Sequence, residues 1–63
     1  MNIWIVLKEG CVEEVFKTAA EAEEYAVNQA RIDFPYSTSD YSDEEIAESL
    51  WDFDCSITKW TLD

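Results

Sequence analysis

The stretch Asn2-Ile-Trp-Ile-Val-Leu-Lys8-Glu9-Gly10-Cys11-Val-Glu-Glu-Val-Phe16-Lys17 decides the fold. Residues 2–8 are rich in β-branched and aromatic types and read as a strand, with Ile3, Ile5 and Leu7 on one side and Trp4 and Val6 on the other. A strand apolar on both faces belongs at the centre of a sheet. Glu9-Gly10 supplies a two-residue turn, with glycine where positive φ is needed. Residues 11–17 return as a second strand through Val12, Val15 and Phe16. A regular register sets Leu7 against Val12, Ile3 against Phe16 and Trp4 against Val15. It also sets Ile5 against Glu14, an awkward pair that suggests a bulge near Glu13-Glu14.

Outward from the hairpin, Thr18-Ala-Ala-Glu21 has the spacing of a capping box and predicts a helix running to about Arg31 or Ile32. Ala19, Ala22, Ala26 and Ala30 line one side of it beside Tyr25, a surface flat enough to sit close to a sheet. Glu21, Glu23 and Glu24 crowd its first turns, where the helix dipole favours acids. Residues 33–41 form a loop around Pro35. Ser42-Asp-Glu-Glu45 is a second capping box, with Tyr41 and Ile46 placed as a hydrophobic staple, and predicts a short helix over roughly 43–51. Ile46, Leu50 and Trp51 form its expected inner face. Phe53 to Leu62 reads as a final strand. The expected fold is therefore a single α+β domain spanning 1–63, β-β-α-α-β: a three-stranded antiparallel sheet of order 2-1-3 with two helices on one face.

The segment from Gly10 through Val12, Val15-Phe16, Thr18 and Glu21-Ala22-Glu23 to Tyr25-Ala26, a hairpin running into a capped helix, resembles many small phage-encoded proteins. Compact acidic proteins of that kind include anti-CRISPR and anti-restriction inhibitors. The resemblance covers about the first 27 residues and carries no catalytic motif or binding residue to transfer. It implies a phage or mobile-element origin.

Sixty-three residues bury only about 60% of the surface their unfolded chain exposes. Nine aromatic side chains compensate, since each buries roughly 150–250 Å². Fifteen acids against four bases give a net charge of −11. Such a charge disfavours direct contact with nucleic acid or an anionic membrane and favours a basic protein partner. An acidic surface serving only solubility, or salt adaptation, is the bland alternative. The apolar run at the start ends at Leu7 without a basic flank, too short for a signal peptide or membrane span, so a cytoplasmic location is expected. Cys11 and Cys55 are then expected as reduced thiols, with a disulfide between them left open.

Catalysis has little to work with. There is no His, the two Cys are far apart, and no glycine-rich phosphate loop is present, so neither an enzyme nor a cofactor is expected. Asp40, Ser42, Asp43 and Glu44, with Asp52 and Asp54, are oxygen donors, but they lack the alternation and central glycine of a calcium loop, and no metal is expected.

The acids have a pattern. Between Ile32 and Thr58 there are eight acids and no base. Glu44, Glu48 and Asp52 are expected at i, i+4 and i+8 on one helix face opposite Ile46 and Leu50, rising roughly 6 Å per step. Such a row destabilises the helix by a few tenths of a kcal/mol per pair, and no Lys relieves it. With Asp40 and Asp43 it can present to a basic groove what a phosphate strand presents. The leading expectation is an inhibitor that occupies a nucleic-acid-binding surface as a DNA mimic. The rival expectation is an interaction module. If the helices cover Ile3, Ile5 and Leu7, then Trp4, Val6 and Val15 form an apolar far face, a homodimer or partner contact, and the acids only solubilise.

Overall fold

The computed structural model describes residues 1–62. The hairpin is built as the sequence dictates: β1 (Asn2–Lys8) and β2 (Cys11–Phe16) joined by Glu9-Gly10. Both turn residues have positive φ, 53° and 81°, the mirror-image turn whose twist suits a two-residue loop. The turn is tied down from outside, because the Glu9 amide donates to the Asp54 carbonyl at 2.9 Å.

After β2 the chain enters α1 (Ala19–Asp33). The Thr18 hydroxyl caps it by accepting from the Glu21 amide, and donates in turn to the Glu21 carboxylate at 2.9 Å. Ala22, Ala26 and Ala30 are fully or almost fully buried, so α1 lies close against the sheet and contacts all three strands. The Phe34 amide closes the last turn on Ala30, and Pro35 prevents continuation. A loop leads to α2 (Asp43–Glu48), where both halves of the Ser42/Glu45 capping box form. A 3₁₀ turn over Leu50–Phe53 follows, and then β3 (Cys55–Thr61). Strand order is β2-β1-β3, all antiparallel, as the sequence predicts.

Three details differ from the sequence expectation. The first is the register and not the bulge itself, which forms at Glu13 as expected: Leu7 opposes Val12 while Val6 opposes Glu14. From there the register moves by one: Trp4 opposes Phe16 and Ile5 opposes Val15, not Ile3–Phe16 and Trp4–Val15. The expected helix over 43–51 is interrupted at Ser49 (φ −125°), and the chain tightens into the 3₁₀ turn. There Leu50 and Phe53, three residues apart, stack on the buried side, and Trp51 is turned outward, 83% exposed, not inward.

The third difference matters most for function. The helices cover the Trp4/Val6 side of the sheet, not the Ile3/Ile5/Leu7 side. Val6 is completely buried with Ala22, Ala26, Val27, Ile46, Leu50, Phe53 and Cys55, and Trp4, Phe16 and Ile57 pack against that cluster. Lys8, on the same side, pairs with Asp33 at the end of α1, and this contact raises the lysine pKa. Val6 and Trp4 therefore do not belong to an open far face; of the three residues expected there, only Val15 does.

The molecule is correspondingly thin, with Cα extents of 41 × 21 × 14 Å. Fourteen ångströms accommodate one sheet and one helical layer about 10 Å apart, and no third layer.

Candidate interaction surfaces

Two surfaces stand out, one acidic and one uncharged. The acidic one is a groove of about 500 Å³ where α1 and α2 run side by side. Glu23 and Glu24 enter it from α1, and Asp43, Glu44 and Glu48 from α2, over a floor that includes Val27 and Ala47. The groove continues past Glu23, Ala47 and Glu48 into a second hollow of about 390 Å³ lined by Trp4, Trp51, Ile57 and Lys59. Lys59 lies over the Trp4 ring, its Nζ 5.8 Å from the centroid.

Among the described residues two ion pairs form, Lys8–Asp33 and Arg31–Asp43. Glu23, Glu24, Glu44 and Glu48 take part in neither, and Lys59, which lines the second hollow with Glu23 and Glu48, forms no ion pair with them.

Of the residues singled out in the sequence, Asp43, Glu44 and Glu48 come together here. Asp52 does not join them: the break at Ser49 carries it into a separate hollow with Phe34, Tyr41 and Glu45. Asp40 is exposed in the loop and lines neither acidic wall. Sequence reasoning missed the contribution of Glu23 and Glu24, which it accounted for entirely through the helix dipole. Their encounter with α2 is long-range, and no local signal encodes it.

Arg31 was also missed. From the last turn of α1 its guanidinium reaches across the loop. Nε and Nη2 donate to Asp43 at 3.0 and 2.7 Å, Nη2 donates to the Tyr41 carbonyl at 3.0 Å, and Nη1 donates to the Thr38 carbonyl at 3.3 Å. Thr38 is the one buried polar side chain among the described residues, and its hydroxyl donates to the Phe34 carbonyl at 2.8 Å. Arg31 and Thr38 together fix the loop, and so place the start of α2 beside α1. The clamp adds to the burial of Ile46 in one cluster with Ala22, Ala26 and Val27 in holding the two walls together.

The uncharged surface is the outer face of the sheet. The register places Ile3 and Trp60 together, then Val15, Ile5 and Thr58, then Val12, Leu7 and Ser56. None of these eight residues is charged. The bulge contributes to this, since it sets Glu14 opposite Val6 on the helix side. Val12, Val15 and Trp60 are 62%, 46% and 55% exposed.

Cys11 and Cys55 both flank Lys8, one on each neighbouring strand. Two strand spacings separate them, about 10 Å, beyond the roughly 7 Å a disulfide spans. Both are free thiols: Cys11 is exposed, and Cys55 is buried with its pKa raised by that burial. Among the described residues no group of three or more His, Cys, Asp or Glu could hold a metal ion, and no helix is long and apolar enough to cross a membrane. No protein family, curated protein or solved structure matches the chain.

Proposed function

We propose that this chain is a non-enzymatic inhibitor, of the anti-CRISPR or anti-restriction kind encoded by phages and mobile elements. In this reading its helical layer occupies a basic, nucleic-acid-binding surface on a host defence protein and acts there as a DNA mimic. The observation that carries the reading is the two-helix groove with four unpaired carboxylates, Glu23, Glu24, Glu44 and Glu48. Carboxylates on both walls of the groove suit a partner that presents several Lys or Arg at once. Glu44 and Glu48, one turn apart, lie about 6 Å from each other along α2. Holding like charges in this arrangement opposes folding, and it is compensated only when a cationic surface approaches.

The acidic surface differs in composition from the one expected from sequence. It is built from two helices, and it excludes Asp52. The hollow beside it, with Trp51 almost fully exposed, adds an aromatic contact at one end of the groove. Exposed tryptophan next to a charged rim suits a protein contact, in which aromatic anchors carry much of the binding energy.

The test is competitive. Partners captured from a host lysate by the immobilised chain are identified, and binding to each is measured with and without a nucleic acid that the partner itself binds. The expected result is mutual exclusion, together with affinity that falls steeply as salt rises. A partner that binds the chain and its nucleic acid simultaneously, at the same affinity across salt, contradicts the reading.

A further inference from the structure

We propose that the uncharged outer face of the sheet is a self-association surface, through which two copies of this chain pack sheet to sheet. The inference goes beyond the proposed inhibitory role and stands without it. The chain carries a net charge of −11, yet the eight strand residues that share this face include no acid and no base. Charge is thus segregated onto the helical layer, the loops and strand positions off this face, such as Glu14 opposite Val6 and Lys59 opposite Trp4. A basic partner would find nothing on this face to pair with. A second copy would find a surface as free of charge as its own, while both acidic layers pointed away from the contact.

The size and shape fit the same occupant. Ile3, Ile5 and Leu7 form a central apolar ridge, with Val12 and Val15 on one side and Trp60 on the other. Met1 and Leu62, 73% and 45% exposed, exchange backbone hydrogen bonds and by alternation extend this face at one end, where Lys17, just beyond β2, and the Met1 ammonium group border it. Together they expose roughly 500–600 Å² per copy, at the upper end of what a monomer normally leaves open. Pairing two such faces would bury about 1,000–1,200 Å² in total, which places the dimer in the weak, reversible class. Face-to-face sheets pack about 10 Å apart with their strands roughly 30° from alignment, and a twofold axis near Ile5 gives the isologous contact a homodimer needs.

Salt distinguishes this contact from any charge-driven one. Two bodies of like charge repel across the distance between their helical layers, and screening that repulsion should tighten the dimer. Sedimentation equilibrium from about 5 to 500 µM, at 10 and 150 mM NaCl, reads both concentration and salt dependence. The expected result is a monomer–dimer equilibrium that tightens at least tenfold at the higher salt. Val15→Glu places a carboxylate beside the twofold axis on each copy and should weaken association at least a hundredfold. Trp60→Glu provides a second variant on the opposite margin, and circular dichroism checks that each remains folded. A wild-type chain that stays monomeric at 500 µM in 150 mM salt overturns the proposal. So does a dimer that loosens with salt, or one that survives both folded variants.

Discussion

Replacing Arg31 by Met should loosen the loop between the helices and lower stability by about 2 kcal/mol. Methionine keeps an apolar stem of similar length, so the change isolates the guanidinium. The magnitude comes from its bonds. The ion pair with Asp43 is largely solvated, with side-chain exposures of 36% and 79%, and is worth about 0.5 kcal/mol. The bonds to the Thr38 and Tyr41 carbonyls contribute about 1 kcal/mol each at most, and less for the longer one at 3.3 Å. A domain of this length has only about 3–9 kcal/mol in total. A loss of 2 kcal/mol should therefore lower Tm by roughly 8–16 °C. Arg31→Lys should fall between the two, because one ammonium cannot reach all three acceptors. Thermal melts followed by circular dichroism give the stability, and amide exchange at residues 38–43 localises the loss. A Tm within 2 °C of wild type, with unchanged exchange in the loop, would refute the clamp.

Three further outcomes follow from the packing. Val6→Ala should cost about 2–3 kcal/mol and Val15→Ala less than about 1 kcal/mol, since the same two methyl groups are fully buried in one case and half-exposed in the other; equal losses in denaturant titrations would contradict the assignment of the sheet faces. Ser42→Ala should cost about 1 kcal/mol by removing the cap of α2, and an unchanged denaturation midpoint would show that this helix does not depend on it. A thiol reagent should modify Cys11 quickly and Cys55 only as the protein unfolds, because burial shields the latter and raises its pKa; two fast thiols, or none, would contradict the cysteine environments described.

The parts of the fold legible in sequence were those fixed by neighbours in the chain. Both N-caps, the Glu9-Gly10 turn and the central position of β1 follow from residues within a few places of one another. The orientation of the sheet was not legible, because β1 is apolar on both sides and its alternation gives no direction. The premise that the helices cover Ile3, Ile5 and Leu7 took the wrong face. The bulge at Glu13 decides otherwise, since it turns Phe16 toward the same side as Trp4 and Val6. The expected acidic row failed at Ser49, where the chain leaves α-helical geometry and Asp52 is carried away from Glu44 and Glu48. The α2 wall was legible as a run of acids, but its meeting with Glu23 and Glu24 was not, because α1 and α2 come together through long-range packing around Ile46 and through the clamp that Arg31 and Thr38 place on the loop.

The most direct test of the proposed function is a charge reversal on both walls of the groove, Glu23→Lys with Glu48→Lys, with stability and partner binding measured on the same protein. Both side chains are exposed and neither takes part in an ion pair, so folding should be nearly unaffected. Lysine at position 48, in the last turn of α2, should even favour the helix by a few tenths of a kcal/mol. Binding to a basic partner, and any inhibition of it, should be lost while Tm holds within a few degrees. Retained binding by the folded double variant, with its salt dependence unchanged, would contradict the acidic groove as the functional surface.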